Sequence, residues 1–385
     1  MPRSNRVYFL GAGASVPDGY PVTAWLSCAV AAFLKYYRDV KGRESRLESY
    51  LTSVYGLNPA EIDSSAEMWD KYIDDELVFT SSFNSAMPEI IDLLSMLDLA
   101  IFENASFGPG GDEKRRREFR GNELVRVRER VVEALVTGFG RVQRSRRRKH
   151  NGHHPVAESF VRRLSGDDVV VTTNWDTLVE EALRSNNSSA ATDYGVDLIR
   201  VSASGRPTEQ VPAGPRVLKL HGSFSWLHCP CCKNLYSNRD LMVSPESARR
   251  WPLDLECDCG AELVGVLITP TYLKNYQIPQ LSEIWRKAQK SLEESAEWTF
   301  IGYSLPTDDL WIRGMLMRAF AIRRNKKDFP AIKVVCRGED KDLDQRYARL
   351  FKEAKIEFFR TGVYDFVQAQ PQQAAAQDTR VKRRP

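Results

Sequence analysis

A histidine stands at the end of an apolar run in the middle of the chain. His221 follows the segment Val217–Leu220 and precedes Gly222. Catalytic side chains in open α/β sheets gather at the ends of strands, and an imidazole with a pKa of about 6.5 suits a general base at neutral pH. Core histidines are often only hydrogen-bonded, but a buried neutral ring fits poorly beside Gly222 at a strand end. We therefore predict that His221 is a catalytic base.

Cysteines follow this histidine in two closely spaced pairs. Zinc takes four thiolate or imidazole ligands in tetrahedral geometry, and each such pair presents two sulfurs to one ion. Five of the seven cysteines fall between positions 229 and 259, which fits a metal site in a reducing cytosol better than a disulfide framework. Three alternatives stay open: Cys231 in place of Cys232, His228 as a ligand, and thiols without metal. The predicted ligands of a structural zinc are Cys229, Cys232, Cys257 and Cys259.

A glycine turn follows the first predicted strand, Arg6–Leu10. Between a strand and a helix, the backbone N–H groups of such a turn can point at a pyrophosphate, and the helix N-terminus adds a favourable dipole. The hydroxyl of Ser15 can donate a further hydrogen bond. The Gly-x-Gly-x-x-Gly fingerprint is absent because the next glycine is Gly19, so an ordinary tight turn is the alternative. The predicted dinucleotide-binding residues of this turn are Gly11, Ala12, Gly13 and Ser15.

Polar residues also end two other predicted strands. Asn174 and Asp176 follow the β-favouring segment Asp168–Thr173, where either side chain could serve only as a cap for the next helix. The loop Gly302–Asp309 follows the apolar strand Glu297–Gly302, and there too a helix cap is the plainer interpretation. Their positions at strand ends place all these groups in the predicted nucleotide crevice.

Predicted strands and helices alternate along residues 151–366. This order favours an α/β fold with a doubly wound, parallel, Rossmann-like sheet. Residues 38–150 show the apolar spacing of helices, broken at Gly108–Gly111, and predict a large helical insertion. A helix is expected over Pro21–Tyr37, and within residues 186–215 only one strand, Leu198–Val201. The predicted segments are 1–37, 151–223 and 276–366 for the sheet domain, 38–150 for the insertion, 224–275 for a small zinc-binding module, and 367–385 for a flexible tail.

Composition limits the class of protein. The chain has 385 residues, of which 42% are hydrophobic, enough for a substantial core, and its net charge is +4. No stretch approaches about 18 consecutive apolar residues, so no membrane-spanning segment is expected. The first residues lead straight into a strand without the apolar region of a signal peptide, which predicts a cytoplasmic protein.

Four motifs occur in an order typical of one family. They are the Gly-Ala-Gly-x-Ser turn, the pair Asn174 and Asp176, the His-Gly pair at His221, and the two cysteine pairs. Together they resemble the sirtuin family. The resemblance covers residues 6–26 and 155–365 and leaves the helical insertion outside. It implies NAD as a substrate.

The resemblance also implies roles for individual residues. Asn174 would contact the nicotinamide ribose and the attacking nucleophile, Asp176 would hold the carboxamide, and His221 would be the base. A Gly-x-Ser loop after a later strand would contact the adenosine half of the cofactor. The further cofactor contacts implied are Thr173, which replaces the family's usual glutamine, Gly302 and Ser304.

Departures from the family decide the predicted reaction. Protein-deacylating sirtuins follow the glycine turn with Gly-Ile-Pro-Asp-Phe-Arg, whereas this chain has Gly19-Tyr-Pro-Val-Thr-Ala-Trp25. The segment Val264–Lys274 lacks the family's Val-Phe-x-Gly substrate strand. With Lys219–Trp226 and Ile301–Pro306, it resembles the bacterial antiphage-defence branch, which implies an NAD glycohydrolase that forms nicotinamide and ADP-ribose and depletes the cell of NAD. An NAD-dependent protein deacylase and a non-catalytic NAD or ADP-ribose sensor are the alternatives.

A basic segment is the remaining feature. Residues 114–149 contain 14 lysines and arginines. A solvated helix face is the plain interpretation, and a docking surface is the functional one. The occupant would be a second copy in a homo-oligomer, or a HerA-type ATPase, the partner that the resemblance to standalone bacterial sirtuin-like proteins implies. Nucleic acid is a weaker alternative, because only Phe119 and Phe139 offer aromatic stacking there. Charge reversal at Arg146, Arg147 and Arg148 is expected to weaken assembly or partner binding without changing the affinity for NAD.

Overall fold

Strands and helices alternate along much of the chain in the computed structural model, which describes residues 6–42, 44–74, 85–107, 119–186, 191–201, 212–238, 257–272 and 278–369. The predicted break at Gly108–Gly111 and the tail from residue 370 onward lie outside these described residues. The strands are β1 (Arg6–Leu10), β2 (Ser106–Phe107), β3 (Phe119–Arg120), β4 (Val169–Thr172), β5 (Ala191–Asp193), β6 (Ile199–Val201), β7 (Pro212–Lys219), β8 (Gly222–His228), β9 (Leu235–Asn238), β10 (Val264–Leu267), β11 (Glu297–Ile301), β12 (Ala331–Val335) and β13 (Ile356–Phe359). The α-helices are α1 (Leu26–Lys41), α2 (Arg46–Val54), α3 (Pro59–Asp74), α4 (Ile90–Phe102), α5 (Asn122–Lys149), α6 (Pro155–Val161), α7 (Leu178–Asn186), α8 (Pro279–Glu294), α9 (Leu310–Asn325), α10 (Lys341–Leu350) and α11 (Val363–Gln368).

Seven of these strands form one sheet in the order β13-β12-β11-β1-β4-β7-β5, and every neighbouring pair is parallel. Strand β1 lies in the middle. The chain runs from β1 to β4 on one side and later returns to β11 on the other, so the strand order reverses at β1. Ligands of such sheets bind outside the carboxyl ends of the strands at this reversal. The predicted α/β fold with a doubly wound parallel sheet is confirmed.

The side chains of β1 show how the sheet is covered on both faces. Tyr8 and Leu10 belong to one buried cluster and Val7 and Phe9 to another, because successive strand residues point to opposite faces. The Tyr8 face packs against residues of α1 to α7 and α11, and the Val7 face packs against α8, α9 and α10. All four side chains are at most 4% exposed. Because β1 is buried on both faces, its sequence is a nearly continuous run of apolar residues rather than an alternation of polar and apolar ones.

The region predicted as a helical insertion, residues 38–150, contains the end of α1 and all of α2 to α5, and these helices pack on one another. It also contains a two-residue antiparallel pair, β2 and β3, where no strand was expected. Two residues are too few to show a period of two in the sequence. The pair is fixed by packing, since Phe119 of β3 is fully buried with its ring 5.3 Å from that of Tyr50.

The first long helix begins later than predicted. Residues Thr23–Trp25 form a single 3₁₀ turn, and α1 starts at Leu26 rather than at Pro21. The helix continues to Lys41, past the expected end at Tyr37, and stops where Gly42 adopts a φ of 62°. Glycine takes this left-handed conformation without steric cost, which makes it a common helix terminator.

A second, four-stranded sheet has the order β10-β8-β9-β6. Its strand β6 corresponds to the predicted strand Leu198–Val201, while β5, which joins the edge of the main sheet, was not predicted. Ala191–Asp193 has neither the length nor the apolar run of the other strands of that sheet. In the part of the chain that the structure describes, no helix is long and apolar enough to cross a bilayer.

The end of α5 corrects the prediction for the basic segment. Arg146 is 1% exposed. Its guanidinium donates hydrogen bonds to the carbonyl oxygens of Gly19 (3.1 Å), Tyr72 (3.0 Å) and Ile73 (3.3 Å). These carbonyls lie at the last turn of α3 and beside the glycine turn, where a cation is favourable. Arg146 is thus a core residue, and placing it on a docking surface was wrong; Arg148 is exposed.

The two aromatic residues of that segment do not form an exposed stacking surface. Phe119 is fully buried. Phe139 packs against Trp175 and Phe224, with ring centroids 5.9 Å and 4.9 Å away. Phe119 is therefore unavailable for stacking on bases, and Phe139 is a half-buried part of the cleft wall rather than of an exposed basic surface.

Candidate functional site

A cleft opens at the carboxyl ends of β1, β4, β7 and β11, where the strand order reverses. Loops after these strands supply its polar lining, and α1, α4 and α5 supply part of its apolar wall. The polar lining comprises Ser15, Thr23, Thr173, Asn174, Asp176, His221, Ser304, Asp308 and Asp309. The apolar lining comprises Ala12, Pro21, Leu26, Ile91, Phe139, Trp175, Pro270 and Pro306.

Ser15 connects the glycine turn to the predicted catalytic loop after β4. Its Oγ donates a hydrogen bond to Oδ2 of Asp176 at 2.8 Å and accepts one from Nδ2 of Asn174 at 2.9 Å. Nδ2 of Asn174 also donates to the carbonyl oxygen of Gly11 at 3.0 Å. Both protons of the amide are thereby engaged, which turns Oδ1 of Asn174 into the acceptor that this side chain can offer a ligand.

Asp176 serves two purposes at once. Its Oδ1 accepts a hydrogen bond from the N–H of Leu178 at 3.2 Å, so it caps α7 as the plain interpretation predicted. Its carboxylate also lines the cleft. The carbonyl oxygen of Asp176 accepts a 2.6 Å hydrogen bond from the buried Nζ of Lys219, which forms an ion pair with Glu180 at 2.9 Å. The buried ammonium group of Lys219 therefore fixes the position of the loop that follows β4.

The glycines of the turn bring two loops into contact. The N–H groups of Gly11 and Gly13 donate to the carbonyl oxygens of Ile301 and Gly302 at 3.0 Å and 2.9 Å. A Cβ atom at Gly11 would lie 2.6 Å from the carbonyl oxygen of Gly302, a distance that side chains do not tolerate. Gly302 has a φ of +59°, and a Cβ there would lie 2.2 Å from the backbone N of Ala14. These N–H groups thus face the loop after β11, and Ala12 is the residue of the Gly-Ala-Gly run that lines the cleft.

The expected helix dipole does not act at this turn. Ala12–Ala14 and Val16–Asp18 form short 3₁₀ turns, and the next α-helix begins only at Leu26. The dipole of a helix falls off within its first turn. Any anion here would be bound by local N–H groups and side chains rather than by the N-terminus of α1.

His221 lies in the two-residue turn between β7 and β8, and its side chain faces the cleft. The residue is 7% exposed. Its carbonyl oxygen accepts a hydrogen bond from the N–H of Ile268 at 2.9 Å, which ties the turn to the end of β10. The imidazole Nε2 lies 3.9 Å from Oδ1 of Asp309.

Asp309 is not the helix cap that the sequence suggested. It precedes α9, yet its side chain makes no capping hydrogen bond to that helix. Its Oδ2 instead accepts a hydrogen bond from the hydroxyl of Tyr303 at 3.0 Å. Burial and the neighbouring Asp309 carboxylate raise the pKa of Tyr303 well above its ordinary value, so the hydroxyl stays protonated and remains a donor. Asp309 thus presents its other oxygen to His221.

The helical layer closes the cleft from above. Leu26, Ile91 and Phe139 belong to three different helices and line the wall. Phe139 lies against Trp175, whose Nε1 donates to the carbonyl oxygen of Ile268 at 3.2 Å. Apolar walls around a few polar groups are typical of small-molecule sites.

The predicted zinc ligands meet at one point beyond the small sheet. The Sγ atoms of Cys229 and Cys259 lie 3.5 Å apart, those of Cys232 and Cys257 lie 3.2 Å apart, and all four lie within 4.8 Å of one another. Four thiolates around a tetrahedral zinc at about 2.3 Å lie about 3.8 Å apart. The cluster therefore fits a zinc ion.

Two open alternatives for the metal site can now be compared with this geometry. Cys231 is exposed and does not belong to the cluster, and neither does His228. The backbone N–H of Cys259 and the hydroxyl of Tyr236 lower the pKa of Cys257 to about 6, which favours the thiolate form that binds zinc. The four-cysteine set predicted from spacing is the set that converges.

A family comparison covers this arrangement. Residues 168–359 match the model of the SIR2-like domain. Just under half of the chain is therefore similar to the SIR2-like domain. The match begins just before β4 and ends with β13, so it includes Asn174, His221, the cysteine cluster and Gly302 but not β1 or its glycine turn. The predicted resemblance to sirtuins is supported over this part of the chain.

Comparisons with whole proteins add less. No curated protein matches the chain. Solved structures similar to it include a Sir2 homologue with NAD (14% identity, TM-score 0.37, covering 95% of this chain and 87% of the other). A serine-to-alanine variant of a Sir2 homologue with ADP-ribose has 14% identity, a TM-score of 0.36 and coverages of 95% and 90%. A Sir2 protein bound to a propionylated peptide has 12% identity, a TM-score of 0.34 and coverages of 94% and 90%.

Sequence reasoning missed several residues in and around this cleft. Asp309 had the same signal as Asn174, a polar side chain after a buried strand, but helix capping explained it equally well. Lys219 sits inside an apolar strand, and a lysine there signals a buried ion pair. Phe139 carried no signal, because its contact with Trp175 depends on how the helical layer docks on the sheet.

Proposed function

We propose that this protein is an NAD glycohydrolase, which cleaves NAD to nicotinamide and ADP-ribose. The observation that carries the proposal is the convergence of Asn174, Asp176 and His221 on one cleft at the reversal of the strand order. The cleft offers an amide oxygen, a carboxylate and an imidazole within an apolar enclosure. These are the groups needed to orient a ribose, hold a carboxamide and accept a proton.

The proposed reaction is a substitution at C1 of the nicotinamide ribose. The oxygen of water forms a bond to C1 while the bond from C1 to the nicotinamide nitrogen breaks. The electron pair of that bond neutralises the pyridinium ring, so nicotinamide leaves as a neutral molecule. A proton of the water passes to His221, and Asn174 orients the water or the ribose through Oδ1.

Asp176 is proposed to hold the carboxamide. Its oxygens accept from Ser15 and from the N–H of Leu178, and each retains a further lone pair for a carboxamide N–H. Ala12, Thr173 and Ser304 are proposed as further contacts of the cofactor, because they line the same cleft. Gly11, Gly13 and Gly302 would support these contacts through the packing of their loops.

A protein deacylase must admit an acyl-lysine peptide to the same base. The wall formed by Leu26, Ile91 and Phe139 and the 7% exposure of His221 support a small nucleophile such as water instead. The Gly19–Trp25 segment also lacks the Asp-Phe-Arg of deacylating sirtuins. Resemblance to the defence branch supports a role as an antiphage effector that acts by NAD depletion.

Fluorescent etheno-NAD tests the proposal. Purified wild type should release fluorescent product, whereas His221→Ala and Asn174→Ala should lose at least about 100-fold in rate, the usual loss when a general base is removed. His153→Ala is the matched control, because the His153 side chain is 68% exposed and lies outside the cleft. Each variant should keep the wild-type circular dichroism spectrum.

A parallel reaction with NAD and an acetylated peptide separates the alternatives. Cleavage that needs the peptide and deacylates it would replace the proposal with a deacylase. Tight binding of NAD without turnover under either condition would replace it with a sensor.

A further inference from the structure

We propose that Asp309 is a positioning residue for His221, and that Tyr303 in turn fixes Asp309. This inference rests on the proposed function, in which His221 is the base. It concerns a series of side-chain contacts that runs from His221, in the turn after β7, to Asp309 and Tyr303, in the loop after β11. Neither partner of the histidine belongs to the four motifs by which the sequence was compared with the sirtuin family.

The contacts are those of a buried carboxylate between two groups. Oδ1 of Asp309 lies 3.9 Å from Nε2 of His221, and Oδ2 accepts from the Tyr303 hydroxyl at 3.0 Å. His221, Asp309 and Tyr303 are 7%, 5% and 5% exposed. Little water therefore screens the attraction between a protonated imidazole and the carboxylate.

Tyr303 is itself held firmly. Its ring packs on Phe9 of the central strand at a centroid distance of 4.7 Å. Its carbonyl oxygen accepts a 2.8 Å hydrogen bond from the hydroxyl of Tyr347, which lies on α10 and is fully buried. The hydroxyl of Tyr303 therefore has little freedom, and it fixes the orientation of the Asp309 carboxylate.

This arrangement has a direct chemical consequence. When His221 takes a proton from the attacking water, a cation forms on a side chain that is largely buried. A carboxylate within about 4–6 Å favours the charged imidazole and makes His221 a stronger base. Because Asp309 lies on the β11 side of the strand reversal and His221 on the β7 side, the pair also links the two halves of the cleft.

Other charged groups near His221 have different roles. Asp176, on the loop after β4, is engaged by Ser15 and by the N–H of Leu178. Lys219, at the end of β7, is bound to Glu180 and to a backbone carbonyl. Asp308 precedes Asp309 in the same loop and also lines the cleft, so its charge faces the same space as His221.

Titration of His221 by NMR on the full-length, histidine-labelled protein tests the inference directly. The His221 signal is assigned by its loss in His221→Ala. In Asp309→Asn, which keeps the shape of the side chain, the midpoint of the His221 titration should fall by about one pH unit or more. In Tyr303→Phe the carboxylate remains but loses its anchor, so the midpoint should fall by a smaller amount.

The matched control is Asp168→Asn. Asp168 is a buried carboxylate, 1% exposed, paired with Arg6 at the amino ends of β1 and β4, away from the cleft at their carboxyl ends. Its loss should lower stability while leaving the His221 titration in place. A shift of equal size in this control would overturn the assignment, because the effect would then be general rather than local.

Kinetics give a second readout. With etheno-NAD, Asp309→Asn should lower kcat by at least about tenfold with little change in KM, and the acidic limb of its pH profile should move to lower pH. An unchanged His221 midpoint in both Asp309→Asn and Tyr303→Phe would overturn the inference, whether or not the wild type cleaves NAD. A wild type that does not cleave NAD, but whose His221 midpoint depends on Asp309, would overturn the proposed function alone.

Discussion

Ser15 and Asp176 are 161 positions apart in the chain, yet the Ser15 hydroxyl donates a 2.8 Å hydrogen bond to the Asp176 carboxylate. The same hydroxyl accepts a hydrogen bond from Asn174. The turn after β1 and the loop after β4 are thus joined by one buried oxygen atom. It follows that the orientation of two proposed catalytic-site residues depends on a serine that need not contact the reacting bond.

Replacement of Ser15 by alanine should separate orientation from chemistry. Ser15→Ala removes one buried hydrogen-bond partner from Asp176 and one from Asn174, at a cost of about 1–3 kcal/mol in the free energy of unfolding. The rate of etheno-NAD cleavage should fall by about 10- to 100-fold. Chemical denaturation and steady-state kinetics measure the two effects.

The control for this prediction is Ser159→Ala. Ser159 is 7% exposed and accepts hydrogen bonds from Arg162 and Gln368 on the far side of α6. It should lose stability without losing activity. Equal activity of the Ser15 and Ser159 variants would show that Ser15 does not orient the site.

The cysteine cluster should hold one zinc ion per chain. Cys257→Ser should abolish zinc binding and lower the unfolding temperature, because the free energy of metal binding contributes directly to folding. Cys231→Ser, two positions from Cys229 but outside the cluster, should retain the metal. Elemental analysis of protein purified without chelators measures the zinc content of the wild type and of both variants. Absence of zinc in the wild type would contradict this prediction.

Glu181 should make the fold sensitive to acid. Burial opposes ionisation of this carboxyl, but hydrogen-bonding contacts with His154 and Thr177 and the charge of Arg147 lower its pKa from 4.5 to about 2. Because the pKa is depressed in the folded state, the stabilisation is present above pH 4.5 and is lost as the pH falls toward about 2. It amounts to about 2–3 kcal/mol.

Urea denaturation of Glu181→Gln across this acid range measures the effect. The difference in stability between wild type and variant should be largest at neutral pH and should shrink steadily on acidification. Glu294→Gln, at a residue whose side chain is 63% exposed, should follow the wild-type curve. A difference that stays constant with pH would refute the assignment.

The exposed cations of α5 are Arg126, Arg148 and Lys149, and docking by this basic face should be tested at the two arginines. We propose that this face binds a second copy of the chain or a partner protein such as a HerA-type ATPase. The double variant Arg126→Glu/Arg148→Glu should then lower the oligomer mass or partner recovery while etheno-NAD affinity is unchanged. An unchanged mass and unchanged recovery would exclude this face.

Arg146→Glu is unsuitable for that test, because it buries a carboxylate against the carbonyl oxygens of Gly19, Tyr72 and Ile73. We expect it to unfold the protein by removing several kcal/mol of stability. A salt-dependent shift of DNA by the wild type, lost in the double variant, would favour nucleic acid as the ligand of the basic face.

Much of the sheet could be predicted because its strands are buried on both faces. The runs at β1, β4 and β11 are largely apolar, and the polar residues that follow β4 and β7 pointed to Asn174 and His221. Strand β5, Ala191–Asp193, carries no such run, since it is a short strand at the edge of the sheet. Edge position is a tertiary property that local sequence does not encode.

The remaining errors share a physical origin. Arg146 follows Val142 by four positions, so helical spacing places it on the buried face, but its charge favoured the surface interpretation. Its acceptors are three backbone carbonyls, and backbone groups have no sequence signature. For Asp309 a helix cap was the plainer interpretation for a similar reason, because its neighbours His221 and Tyr303 come together only when β7 and β11 lie on opposite sides of β1.

The central position of β1 determines which fragments of this chain can fold by themselves. The residues that match the SIR2-like domain, 168–359, exclude β1. Without β1, the strands β4 and β11 lose the neighbour that each is hydrogen-bonded to. Each of them then has a row of backbone N–H and C=O groups without partners in the middle of the sheet. Such open strand edges pair readily with other chains. A protein trimmed to the recognisable domain should therefore aggregate, and autonomous folding requires that the first strand be kept.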